Sequence, residues 1–120
     1  MYKVEFVSLE ESAKDLIISF AIEDSKLGVR SLILHRQLFF EEFLDEEERG
    51  VNVTMEEIIV EQEQLNILKQ INVKTSEIEI KSVFSEYQLD ISGIEASTIE
   101  EMVSLLKKQN YDHRFIIQVA

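Results

Sequence analysis

Three apolar-rich stretches follow one another with only short polar connections, and this restricts the fold more than any other property of the chain. Residues 3–9 alternate, with Val4 and Phe6 on one face and Lys3, Glu5 and Val7 on the other. Residues 16–22 are rich in Ile and Phe. Residues 29–40 read as one long strand or as a strand plus a bend, with Leu32 and Leu34 inward and Leu38 a further candidate. Alternation of this kind marks strands. The connections at 10–14 and 23–28 are shorter than the roughly dozen residues a parallel crossover needs. An antiparallel meander is therefore expected, with Gly28 free to supply a positive φ in its second turn.

The rest of the chain continues in short elements. Residues 41–50 change character and read as a short helix or a loop, closed by Gly50 in either case. Residues 51–54 and 57–61 read as short strands. Residues 62–70 are ambiguous: Leu65, Leu68 and Ile71 share a helical face, while Leu65 and Ile67 alternate as in a strand. Residues 71–74 and 77–82 alternate strictly around Thr75-Ser76, which predicts a hairpin. Tyr87, Leu89 and Ile91 predict another strand. A helix is expected over 98–109, with Ser97 as N-cap and Glu100 completing a capping box. Its apolar face is Ile99, Met102, Val103 and Leu106. Glu100 and Glu101 near the start and Lys107 and Lys108 near the end suit the macrodipole, and Asn110 suits a left-handed position after the end. Residues 114–119 close the chain as a strand. The expected fold class is α+β: a mainly antiparallel sheet of seven to nine strands packed by one C-terminal amphipathic helix.

A chain of 120 residues, 45% hydrophobic and 30% charged, is expected to form one globular domain over 1–120. It has no cysteine, so disulfides and thiolate metal sites are excluded. The first residues alternate without an apolar h-region, and no apolar run is long enough to span a membrane as a helix. A cytoplasmic location is the expectation. The formal net charge is −12. Ten acids and one arginine between 41 and 63 put −9 of it into 23 residues. A surface of that sign repels nucleic-acid phosphates and anionic lipid. It attracts a basic protein.

Side-chain chemistry is sparse. Asp112-His113 places a carboxylate beside an imidazole, which reads as an oriented general base or as a polar loop leading into a strand. His35 precedes Arg36 in a strand and reads as solvent-facing or part of a polar rim. Asp45, Gly50 and Glu56 fall at the first, sixth and twelfth positions of a calcium-loop pattern, but Arg49 and Val53 occupy ligand positions there. Gly28, Gly50 and Gly93 stand too far apart for a phosphate loop. No metal or other cofactor is expected, and enzyme activity is disfavoured. The acid cluster is either a solvated face or a docking surface. Its interleaving with Leu38, Phe39, Phe40, Phe43 and Leu44 resembles an interface with an acidic rim and aromatic anchors.

The order of features resembles the immunity protein ten family of bacterial polymorphic-toxin systems. Phe6-Val7-Ser8-Leu9-Glu10-Glu11 is followed by Ile18-Ser19-Phe20-Ala21-Ile22-Glu23-Asp24, then Leu32-Ile33-Leu34-His35-Arg36, then Phe40-Glu41-Glu42 and acids up to Gly50. The likeness runs through residues 2–106 in feature order and is most specific over 34–50, with His35 where glutamine is more usual. It implies a cofactor-free cytoplasmic protein that binds and neutralises a toxin domain. The expected partner-binding residues are Phe40, Glu41, Glu42, Phe43, Asp45, Glu46, Glu47, Glu48, Glu56 and Glu57. The alternative is a phage-encoded or regulatory protein-binding module using a sheet edge or helix face. A third possibility is a small hydrolase using Asp112 and His113.

Overall fold

A computed structural model describes residues 1–24, 28–56 and 65–120. Among them are eight strands and one α-helix. The first meander is β1 (Tyr2–Glu11), β2 (Asp15–Asp24), β3 (Gly28–Gln37) and β4 (Asn52–Met55). The second is β5 (Leu68–Val73), β6 (Glu77–Ser82) and β7 (Glu86–Asp90). Helix α1 (Ala96–Gln109) and β8 (Ile116–Val119) follow. The sheet order is β4-β3-β2-β1-β7-β6-β5-β8, antiparallel except where β1 meets β7 and β5 meets β8. The α+β class and the antiparallel meander are as the alternation required.

The sheet coils until its ends approach. Val53 N–H donates to Asn66 O at 2.8 Å and Leu68 N–H to Val51 O at 2.8 Å, so β4 pairs with the lead-in to β5. The cumulative right-handed twist of many strands drives this closure. The inner face carries Ile18, Phe20, Ile22, Leu32, Leu34, Ile71, Ile78, Ile80 and Leu89, all fully buried. Met102, Leu105 and Leu106 of α1 pack into it.

Several local expectations are corrected. A bulge between Val4 and Phe6 in β1 shifts the register, pairing Val4 with Ile22, Phe6 with Ala21 and Val7 with Phe20. The extra residue reverses the alternation. Phe6 therefore lies outside, 58% exposed, while Val7 and Leu9 join Val4 on the core side. Of the two readings of 29–40, the strand plus bend is the one found: β3 ends at Gln37, where Leu38 N–H donates to Lys14 O at 2.7 Å and the chain turns. Residues 41–50 form two 3-10 turns, Glu41–Phe43 and Glu46–Glu48, ended by Gly50 at φ 132°. The strand expected at 57–61 lies outside the described residues, and from Leu65 onward the ambiguous stretch is not helical.

The hairpin around Thr75-Ser76 is present, with Lys74 N–H on Glu77 O at 2.8 Å and a Lys74–Glu79 ion pair beside it. Helix α1 begins two residues before the expected start. Its N-cap is Glu95, which makes no side-chain cap bond, so Ser97 lies inside the first turn and the capping box is not formed. Glu100 and Glu101 consequently fall beyond the first turn, while Lys107 and Lys108 do occupy the last. Asn110 caps the end at φ −101°, and the left-handed residue is His113 at φ 55°. The Asn110 side chain instead imitates a strand, donating to Phe115 O at 2.9 Å and accepting Phe115 N–H at 3.1 Å. No helix among the described residues is long and apolar enough to cross a membrane.

Candidate acidic docking surface

Leu32, Leu34 and Arg36 occupy successive inward positions of β3, so the alternation that buries two leucines also buries a guanidinium. Arg36 is 0% exposed. Such burial is tolerated only if every donor finds an acceptor and the charge a counter-charge. Arg36 Nε donates to both Glu41 carboxylate oxygens, at 3.0 and 3.2 Å. Nη1 donates to Asp112 Oδ1 and to Gln109 O, each at 2.7 Å. Nη2 donates to Asp112 Oδ2 at 2.9 Å and to Tyr111 Oη at 3.1 Å. The Tyr111 ring also covers the guanidinium, 4.3 Å from its carbon. Gln109 is the last residue of α1, so the cation also meets the negative end of the helix.

Burial opposes the Arg36 charge, yet the bonds from Asp112 and Glu41 outweigh it and hold the guanidinium more firmly protonated than usual. The hydrogen bonds from Arg36, helped by Arg114, hold the Asp112 carboxyl well below the usual carboxylate range against its burial. Burial pushes the Tyr111 hydroxyl up, with Arg36 opposing and Glu41 adding to the shift.

This cluster fastens the acidic segment at its first turn. Glu41 Oε1 also accepts Gly50 N–H at 3.2 Å, closing the segment into a loop. Arg49 Nε donates to Leu44 O at 3.2 Å, and Arg114 Nη1 to Glu46 O at 2.8 Å. Glu42, Phe43, Asp45, Glu46, Glu47 and Glu48 are exposed on the loop so held. Phe39 and Phe40 stand beside it edge to face, with centroids 4.8 Å apart, and Lys14 Nζ lies 5.3 Å from the Phe39 ring.

The structure divides the expected partner-binding residues. Phe40, Glu42, Phe43 and residues 45–48 share one exposed segment. Glu41 does not belong with them: it is 7% exposed and its carboxylate is already bound. Glu56 is exposed, but β4 carries it away from Gly50 by four residues at about 3.3 Å each. Glu57 lies outside the described residues. That some carboxylate must be buried was legible, because the step from Leu34 to Arg36 places a cation inward that then requires an anion; that Glu41 supplies it was not.

The Asp112–His113 dyad is not assembled. Both Asp112 oxygens face Arg36, and Arg114 takes Oδ2 as well, while His113 is exposed. The imidazole that does meet a carboxylate is His35, whose Nε2 lies 2.7 Å from Asp15 Oδ1 across the β2–β3 pair. Residues 45–56 form a 3-10 turn and a strand, unlike the loop between two helices of a calcium hand. Among the described residues no three His, Asp or Glu side chains converge as metal ligands would. The arrangement presents charge and aromatic surface from a hydrogen-bonded base. Protein-family models, curated proteins and solved structures were compared with the chain, and none matches.

Proposed function

We propose that the chain is a non-enzymatic immunity protein acting in the cytoplasm, which binds a basic toxin domain and neutralises it without a cofactor. The observation that carries this reading is the buried Arg36 clamp. A solubility device needs only exposed carboxylates. Here one glutamate of the run is spent inside the protein to hold the others, and Phe40 and Phe43 with them, in one conformation. Fixing a surface before binding removes part of the ordering cost of association. The localised charge speeds the encounter with a cationic partner. The likeness of residues 34–50 to immunity proteins supplies the class of partner.

The test is co-expression with the product of the adjacent gene, pull-down, and binding kinetics at rising salt. Reversing Asp45, Glu46, Glu47 and Glu48 to Lys should slow association at least tenfold and flatten its salt dependence. Unchanged affinity in that variant rejects the mechanism. A second reading, a phage-encoded or regulatory binding module, is favoured by the outer edge of β8, where Ile116 and Val119 are 56% and 54% exposed. Such an edge invites an added strand.

A further inference from the structure

The connection between β6 and β7 is unlike an ordinary surface turn. Its tip carries Val83 and Phe84, 48% and 60% exposed, where turns usually place small polar residues. The tip is also held. Asn66, 4% exposed, accepts Phe84 N–H at 2.8 Å and donates to Ser85 Oγ at 3.2 Å and Val53 O at 3.3 Å. Val83 N–H donates to Ile67 O at 3.0 Å, and Ser82 closes on Ser85 O through both its N–H and its hydroxyl at 2.9 Å. A buried amide thus fixes the backbone of a turn that carries two exposed apolar side chains.

Facing this turn is the acidic one. A groove of about 520 Å³ runs between them, with Leu65, Ile67, Val83 and Phe84 as its apolar lining and Glu47 and Glu48 as its acidic lining. Lys69 also lines it. Glu47 belongs as well to a second hollow of about 500 Å³ formed with Asp45, Glu46 and Arg114. The Glu46–Glu48 turn is therefore a ridge between two depressions, one of them apolar on its far side.

We propose that this groove receives a basic amphipathic segment of the partner protein, an aliphatic or aromatic side chain seating against Val83, Phe84 and Leu65 while a neighbouring Lys or Arg meets Glu47 and Glu48. The inference rests on the reading of the chain as a binder of a basic partner, and it moves the anchor from Phe40 and Phe43 to the apolar lining of the groove. Charge decides between occupants. A second copy would bring another net −12 surface against Glu47 and Glu48. A neutral apolar segment would leave those carboxylates facing it without partners. Lys69 gives the groove polarity and favours a segment with a carboxylate or a free carbonyl at that end.

Two measurements test the groove. The ¹⁵N-labelled protein is titrated with a 12-residue peptide of lysines containing two leucines, and with the same peptide carrying serines for the leucines. The leucine peptide should shift the amides of Glu47, Glu48, Leu65 and Phe84 to saturation, at least tenfold more tightly than the serine peptide. Phe84→Ser should weaken that binding about tenfold with the unfolding midpoint unchanged. Equal binding of both peptides, or shifts confined to residues 39–43, overturns the groove. The second measurement is binding of Phe84→Ser to the co-expressed product of the adjacent gene. Tenfold weaker binding supports the proposal. Full-strength binding overturns the groove and leaves the immunity reading standing. If the leucine peptide occupies the groove but the wild-type chain binds no such product, the groove stands and the immunity reading falls.

Discussion

Replacing Arg36 with methionine keeps the length of the side chain and removes its charge, and the consequences can be worked from the geometry. Glu41, 7% exposed, would keep only Gly50 N–H at 3.2 Å and the Tyr111 hydroxyl at 3.3 Å. Gln109 O would lose its 2.7 Å donor. Removing one partner of a buried ion pair costs about 3–5 kcal/mol, because the other charge is left uncompensated. With a urea m-value of about 1.5 kcal/mol/M for a domain of this size, the unfolding midpoint should fall by about 2–3 M. A second substitution separates charge from packing. Glu41→Gln should destabilise the wild-type protein but stabilise the Arg36→Met variant by about 1–2 kcal/mol, since it neutralises a stranded carboxylate. The pH dependence has a definite sign. The folded-state pKa of Asp112 is lowered, so its contribution is present above the unfolded value of about 3.9 and is lost as pH falls through the folded one. Arg36→Met removes the largest cause of that shift. The stability gap between the two proteins should therefore be level from about pH 7 to 5 and narrow below about pH 4. A cost under about 1 kcal/mol, or a Glu41→Gln effect of the same sign in both backgrounds, would refute the clamp.

Two further substitutions probe backbone features. Gly50 has φ 132°, and an added Cβ would lie 3.2 Å from Ile67 Cγ2, so Gly50→Ala should cost about 1–3 kcal/mol by thermal or urea unfolding. A neutral result would mean the loop closes without that conformation. Glu95 caps α1 without a side-chain bond, so Glu95→Ser should raise stability by about 0.5–1 kcal/mol while Ser97→Ala changes it by less than about 0.5. The reverse ranking would restore Ser97 as the cap.

The elements that could be read from the chain are those whose signal is local. Leu32, Leu34, Ile71, Val73, Ile78 and Ile80 alternate within their own strands and lie inward as the pleat dictates. The short connections 10–14 and 75–76 force antiparallel neighbours whatever the rest of the molecule does. Met102 and Leu106 share one helical face and are both buried. Elements that depend on a single residue more or less were misread. One bulge turns Phe6 outward, and a helix start two residues earlier displaces the expected cap at Ser97. Neither Val83-Phe84 nor Asn66 carried a periodic signal, because their role comes from bonds across 18 and 19 residues of chain.

By itself the sequence determined the α+β class, the antiparallel meanders, and the sign and location of the charge, because periodicity, connection length and formal charge are properties of neighbouring residues. Only the tertiary structure decided which acids face water. Arg36 and Asp112 are 76 residues apart, and they meet because the coiled sheet brings the end of α1 over the end of β3. That meeting draws Glu41 inside and leaves residues 45–48 outside. A buried cation must gather its counter-charges from wherever the fold supplies them, and no local pattern can say which carboxylates those will be.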